Sequence, residues 1–167
     1  MAKQLKISKE FEVCGADFSP CRKYRYSLWR FWQKDCRYVA FVCLNPSTAD
    51  ETENDPTVRR CINYAHDWGY GGMIMLNIFA FRATEPREMK LAEDPVGPDN
   101  DFHLRTASNK AGITVCGWGN HGSYLGRDKE ALLLLKDPHC LKTTNEGQPW
   151  HPLYLKKSLK PRRYIYV

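Results

Sequence analysis

Residues 41–50 read FVCLNPSTAD and mark the point where a buried strand gives way to a polar loop. The apolar run Val39–Leu44 is typical of a strand that is buried on both faces. Pro46 cannot continue a central ladder, and oxygen-bearing side chains crowd the positions that follow it. Asp55 can cap a helix that has Pro56 in its first turn. Because ligands bind at the carboxyl ends of strands in open α/β sheets, we expect this loop to bind a ligand.

A second buried strand is predicted further along the chain and carries a polar residue. The apolar segment Met73–Phe81 is interrupted by Asn77. An amide buried without hydrogen-bond partners costs about 1 to 3 kcal/mol. We therefore expect Asn77 either to hold a neighbouring loop or to face a ligand.

An aromatic-rich segment precedes both strands. Arg22–Trp32 alternates like a strand with aromatic side chains on both faces. We expect it to form a hairpin with Arg37–Leu44 through a turn at residues 33–35. Its arginines have two interpretations: they form a solvated face of the strand, or they combine with the aromatic rings in a surface that stacks on nucleic-acid bases.

Helices alternate with strands along the rest of the chain, which implies βαβ units and a parallel sheet covered on both faces. The predicted fold class is α/β: a three-layer αβα sandwich with a central, mainly parallel four-stranded sheet and an N-terminal β-hairpin extension. The 167 residues are expected to form one domain. Right-handed crossovers place the loops after the four strands along one edge. The predicted segments are an N-terminal extension at 1–21, helices at about 58–68, 101–110 and 127–136, further strands at 113–116 and 140–143, and a basic tail at 156–167.

Charge and composition favour a soluble protein with a polyanionic partner. The net charge of +6 leads us to expect DNA or another nucleic acid. The seven cysteines contain no CxxC pair and are expected to be reduced thiols of a cytoplasmic protein. The first residues have no signal-peptide pattern, and no apolar run approaches the ~20 residues of a membrane span. We therefore expect no membrane partner.

Several short motifs together resemble a known group of proteins. Between about Tyr24 and Leu155 the chain resembles a bacterial and phage group, domain-of-unknown-function family 1643, through NPSTA, DPTVRRC, LNIFAFRATEP, CGWG and HPLYL. The order of an NP loop, a strand with an internal Asn, a strand ending in WG and a final HP loop is also similar, more distantly, to the uracil-DNA glycosylase superfamily. This second resemblance implies a uracil-DNA-glycosylase-like fold.

The glycosylase resemblance also implies roles for particular residues. It implies that Asn45 positions a hydrolytic water, that Asn77 reads the edge of a flipped base, and that His151 stabilises the negative charge on the departing base. Pro152–Leu155 would be the loop that enters the minor groove. Such chemistry suits these residue types, because an imidazole can donate to an anionic leaving group and an amide can pair with a base edge.

These observations define the candidate site. We predict catalytic roles for Asn45, Asp50 and His151, with Asp50 or Asp55 as the base. Structural alternatives stay open, because Asn45 can cap a turn, Asp55 can cap a helix, His151 can bond a backbone carbonyl and Trp118 can belong to the core. The predicted substrate-binding residues are Pro46, Ser47, Thr48, Asp55, Asn77, Arg82, Trp118 and Gly119, and the predicted contacts to a nucleic-acid backbone are Lys156 and Lys157.

No metal ion or cofactor is expected. His121, His151 and a cysteine lack the spacing of a known metal site, and neither a phosphate-binding loop nor a dinucleotide fingerprint occurs. The leading hypothesis is a base-recognising enzyme, a DNA-glycosylase-like hydrolase acting on a uracil-like or modified base. The alternatives are an enzyme acting on free nucleosides or nucleotides, and a non-catalytic nucleic-acid-binding module.

Overall fold

The computed structural model of the protein describes residues 13–166. Residues 1–12 of the predicted N-terminal extension and Val167 of the predicted basic tail lie outside the described residues. Within residues 13–166, no helix is long and apolar enough to cross a lipid bilayer. None of the seven cysteines, all of which are described, forms a disulfide.

The described chain forms one mixed sheet of seven strands together with four α-helices. The strands are β1 (Val13–Phe18), β2 (Arg25–Phe31), β3 (Tyr38–Cys43), β4 (Gly72–Asn77), β5 (Ile113–Cys116), β6 (Pro138–Cys140) and β7 (Arg162–Arg163). The helices are α1 (Pro56–Asp67), α2 (Pro86–Lys90), α3 (Asn100–Lys110) and α4 (Arg127–Leu134), and two 3-10 segments lie at Asn120–Gly126 and Pro152–Tyr154.

The strand order is β1-β2-β4-β3-β5-β6-β7. The pairs β3/β4, β3/β5 and β5/β6 are parallel, whereas β1/β2, β2/β4 and β6/β7 are antiparallel. The predicted four-stranded sheet therefore corresponds to the parallel strands β3, β4, β5 and β6, whereas β2 was predicted only as part of a hairpin extension and β1 and β7 were not predicted. The loops that follow β3, β4, β5 and β6 leave from the same edge, as parallel strands require.

The predicted hairpin between Arg22–Trp32 and Arg37–Leu44 is wrong. Strand β4 lies between β2 and β3, with Leu28 of β2 opposite Met75 of β4. The backbone amides of Trp32 and Gln33 both donate to the carbonyl of Gly71, 3.0 and 3.1 Å away, and extend this pairing beyond β2. The N-terminal hairpin is instead formed by β1 and β2, and it belongs to the sheet. Because β4 is buried on both faces, a central position with partners on both edges satisfies its backbone groups.

Helices cover both faces of the sheet, as the alternation along β3 shows. Phe41 and its neighbours at alternate positions pack with Cys61 and the rest of the buried face of α1. Val42, which points to the opposite face, belongs to a second cluster with Leu104 of α3 and Ala131 of α4. Side chains two apart along a strand share a face, so the period of β3 divides the core into two layers.

Two side chains hold the carboxyl end of β4 in place. The Nδ2 atom of Asn100 donates to the carbonyl oxygens of Asn77 and Ile78, at 2.8 and 3.1 Å. The Nε atom of Arg127 donates to the Ile78 carbonyl at 2.8 Å. Both side chains are buried. These bonds fix the direction in which the chain leaves β4 and thus the place of Asn77.

Replacing Asn100 with alanine is expected to lower the free energy of unfolding by about 1 to 3 kcal/mol, because buried carbonyl groups lose their donor. Chemical denaturation measures the change. Asn109→Ala, at an exposed position of the same helix, is the matched control and should change stability by less than about 0.5 kcal/mol. Equal effects of the two substitutions would contradict the anchoring role of Asn100.

Candidate active site

The loops that follow the parallel strands enclose a cleft of about 420 Å³. A smaller chamber of about 40 Å³ lies deeper, where the buried side chains of Arg25, Cys43, Met75 and Asn77 form part of its wall. The residues that line both cavities are Asn45, Ser47, Asp55, Thr57 and His151. The cleft and chamber therefore form one continuous candidate site.

Asn45 connects two of the loops around this site. Its Nδ2 atom donates to the carbonyl of Ala83 at 2.7 Å and to that of Pro46 at 3.3 Å. The backbone amide of Ala83 donates in turn to the Pro46 carbonyl at 3.0 Å. With its amide nitrogen engaged, Asn45 has only its Oδ1 atom left, as an acceptor for a ligand or a water molecule.

Asp55 caps α1 and also lines both cavities. Its Oδ1 atom accepts a hydrogen bond of 2.8 Å from the backbone amide of Val58, which confirms the predicted N-cap. The amino end of a helix favours a negative charge there. The second carboxylate oxygen remains available to accept a hydrogen bond or a proton in the cleft. The same side chain can therefore cap the helix and take part in chemistry.

His151 presents a neutral imidazole ring to the site. Its Nδ1 atom accepts a 3.2 Å hydrogen bond from the backbone amide of Leu153. Burial lowers the pKa of His151, and the charge of Asp55 opposes this shift. A neutral ring whose Nδ1 accepts must carry its proton on Nε2. His151 can therefore donate one hydrogen bond from Nε2 to a ligand.

A buried arginine lies beneath Asn77. Arg25 is 2% exposed and donates to the Ala49 carbonyl at 3.0 Å and to Asn77 Oδ1 at 3.3 Å. Burial lowers the pKa of Arg25 to about 10, so the guanidinium remains charged at neutral pH. Arg30, which is 0% exposed, donates to the Asp50 carbonyl at 2.7 Å and to Asn54 Oδ1 at 2.9 Å. The interpretation of the β2 arginines as a solvated face is wrong for both residues.

Three of the predicted catalytic and substrate-binding residues do not line either cavity. The Oδ1 atom of Asp50 accepts hydrogen bonds from the backbone amides of Thr52 and Glu53, at 3.0 and 2.8 Å. These bonds hold the Asp50 carboxylate within its own turn. Arg82 donates to the Arg22 carbonyl at 3.1 Å and lies over the Phe18 ring. The third residue, Pro46, is buried and contributes its carbonyl to the loop contacts.

Other predicted residues lie along the wall or outside it. The cleft is lined by Ser47, Thr48, Trp118 and Gly119. Lys156 and Lys157 are exposed and follow the last cleft-lining residue, Tyr154, in the sequence.

Trp118 contributes to the wall while its ring is held in the core. The residue is 2% exposed, and its Nε1 atom donates to Gln148 Oε1 at 2.8 Å. Gln148 donates in turn to Asp128 Oδ2 at 2.8 Å. An indole fixed in this way supports the wall of the cleft and offers little surface for stacking.

Several wall residues were not among the predicted site residues. His121 lines the cleft, and its Nδ1 atom is 3.0 Å from Lys90 Nζ. Burial, followed by the charge of Lys90, lowers the pKa of His121. The run of glycines around His121 was the available signal. The other lining residues outside the predicted set are Leu44, Pro56, Thr57, Ala83, Thr84, Pro86, Asn120, Leu153 and Tyr154 for the cleft and Arg25, Cys43, Val58 and Met75 for the chamber.

The match to a family covers nearly all of this site. The model of a protein family of unknown function, DUF1643, matches residues 25–153. The chain belongs to this family. Apart from Tyr154, every residue that lines the cleft or the chamber falls within the DUF1643 segment. No curated protein and no solved structure matches the chain. Among residues 13–166, no group of three or more His, Cys, Asp or Glu side chains is placed to hold a metal ion.

Proposed function

We propose that the protein recognises a nucleic-acid base and hydrolyses its N-glycosidic bond, in a uracil-DNA-glycosylase-like α/β domain. The observation that carries the proposal is that Asn45, Asp55, Asn77 and His151, which come from three separate parts of the chain, line one chamber. A volume of about 420 Å³ for the adjoining cleft is within the range of small-molecule sites, about 300 to 1,000 Å³. A flipped nucleotide can occupy such a cleft with its base edge toward the chamber.

The residues supply the groups that glycosidic hydrolysis needs. A water molecule held by Asn45 Oδ1 and Asp55 attacks the anomeric carbon of the sugar, and its proton passes to the Asp55 carboxylate. The bond between that carbon and the base nitrogen breaks, and the base leaves with the electron pair. His151 donates from Nε2 to the base and stabilises the negative charge that develops on it.

The surface beside the cleft suits a nucleic-acid strand. Tyr154 is 76% exposed, and its ring centroid is 5.8 Å from that of His151. An exposed aromatic ring at the rim can stack on a base next to the flipped one. Lys156 and Lys157, both exposed, follow in the chain and can contact phosphate groups. This proposal retains Pro152–Leu155 as the segment that enters the minor groove.

Base release from defined oligonucleotides tests the proposal. Duplex and single-stranded DNA containing uracil, hydroxymethyluracil, cytosine or a 5-substituted cytosine are incubated with the protein, and the released base is measured by chromatography. Release of one of these bases is the expected result. Binding without release would favour the non-catalytic recognition module. If the protein neither released a base nor bound the DNA, the proposal would be contradicted. Binding of free nucleotides alone would favour an enzyme for free nucleosides or nucleotides.

The neutral state of His151 gives a pH-dependent prediction. Burial lowers its pKa in the folded protein below the ordinary value of about 6.5. Below pH 6.5 the unfolded chain therefore binds a proton that folded His151 resists, and stability falls as the pH drops toward the folded pKa. We expect the wild-type protein to lose more free energy of unfolding than His151→Gln between pH 7.5 and pH 5.5. Chemical denaturation at both pH values checks this, and equal losses would contradict a neutral, buried His151.

A further inference from the structure

The orientation of the Asn77 side chain is fixed by Arg25. A guanidinium group only donates hydrogen bonds, so the atom of Asn77 that faces Arg25 must be Oδ1, and the 3.3 Å contact joins that atom to Arg25. The Nδ2 atom of Asn77 has no hydrogen-bond partner among residues 13–166. Because Asn77 lines the chamber, its Nδ2 atom is a donor available to a ligand, while Oδ1 already accepts from the guanidinium.

Asn77 and Arg25 together form what we call the floor of the chamber. This floor carries a positive charge that no carboxylate neutralises at close range. Within residues 13–166, no acidic side chain lies within 4.0 Å of the Arg25 guanidinium. The Nε atom of Arg25 is fully buried and has no hydrogen-bond partner in the same part of the chain. Asp55 is the acidic residue that most favours the charged form of Arg25. A buried cation of this kind favours an electron-rich ligand.

We propose that the Asn77–Arg25 floor is a subsite for a base edge with two adjacent acceptors, as in cytosine and 5-substituted cytosines. Cytosine presents O2 and N3 as neighbouring acceptors, whereas the N3 atom of uracil carries a hydrogen. That N3–H would face the Asn77 donor and leave two donors opposed. The chamber holds about 40 Å³, which admits the edge of a ring while the rest of the base remains in the cleft. This inference rests on the proposed function and specifies its substrate class.

Binding of two short, labelled single-stranded oligonucleotides tests the inference. They differ only in a central cytosine or uracil and otherwise contain adenine. The salt concentration is set so that an all-adenine strand of equal length no longer binds, which removes the contribution of the phosphates. We expect the wild-type protein to bind the cytosine strand at least about tenfold more tightly, since one well-formed edge contact discriminates by about that factor or more.

Asn77→Asp reverses the group that the floor presents. One carboxylate oxygen keeps the bond to Arg25, and the other offers an acceptor where Asn77 offers Nδ2. We expect the preference for cytosine to disappear and the uracil strand to bind at least as well. Asn109→Asp, the same change at an exposed position, should leave the preference intact. Thermal unfolding verifies that both variants fold, and the comparison in the wild-type protein does not depend on them.

The outcomes separate this inference from the proposed function. Tighter or equal binding of the uracil strand by the wild-type protein would overturn the acceptor-specific subsite and leave base recognition standing. A cytosine preference that Asn77→Asp does not change would also overturn it, because another residue would then read the base. Failure of both strands to bind, together with no release of any base, would overturn the proposed function and this inference with it.

Discussion

Replacing His151 with alanine is expected to slow base release by a factor of about 10² to 10³, the usual cost of removing one donor to a developing anion. The substitution removes the Nε2 donor of a ring that lines the chamber. It also releases the Leu153 amide from its bond to Nδ1. Single-turnover kinetics with excess enzyme measure the chemical step, and KM should change little because the contact strengthens in the transition state.

His66→Ala is the matched control for this experiment. His66 lies on the exposed side of α1 and lines neither cavity. Its substitution should leave the rate of base release unchanged. If His66→Ala and His151→Ala released base at the same rate, His151 would not be the donor to the leaving group. Glutamine at position 151 offers an amide donor and should restore part of the lost rate, which a merely structural role of His151 would not predict.

The parts of the fold that depend on local signals were predictable from the sequence. Strand β5 has the predicted bounds, Ile113–Cys116. Helix α1 begins after Asp55 because an acidic N-cap and Pro56 in the first turn act within a few residues. The convergence of Asn45, Asp55, Asn77 and His151 was also predictable, because parallel strands bring the loops at their carboxyl ends to one edge.

The pairing of β2 was not predictable from its own residues. Two strands separated by a short turn usually pair with each other, and nothing in the segment 33–35 indicates that β4 comes between them. The burial of Arg25 and Arg30 has the same origin. Their charges are stabilised by carbonyl and amide oxygens from other segments of the chain, such as those of Ala49 and Asn54. The alternation of side chains along β2 predicts a strand, but it does not show which other segments of the chain will bury each face.

Asp50 shows why the candidate base was ambiguous. Asp50 and Asp55 are both acidic residues of the loop that follows β3. The sequence prediction placed Asp50 among the catalytic residues, because Asp55 can serve as the N-cap of a helix. In the structure the Asp50 carboxylate accepts amides within its own turn, while Asp55 lines the chamber. The proposed function therefore assigns the base to Asp55.

The Asp55→Asn variant should release the base about 10²- to 10⁴-fold more slowly than the wild-type protein, since this is the usual contribution of a general base. Its stability should change little, because asparagine is as good an N-cap as aspartate and can still accept from the Val58 amide. Asp50→Asn is the matched control, since it makes the same change in the same loop outside the cavities. A slow Asp50→Asn enzyme and a fast Asp55→Asn enzyme would reverse the assignment of the base.

The charge of Asp55 also affects a neighbour that can be observed directly. Asp55 raises the pKa of His151 against the lowering effect of burial. In Asp55→Asn only the burial effect remains, so the pKa of His151 should fall further below the wild-type value. Titration of the imidazole by NMR measures this shift without any substrate. An unchanged His151 pKa would mean that the two side chains do not share a chamber in solution. The proposed roles of Asp55 as general base and of His151 as donor to the leaving group would then be wrong.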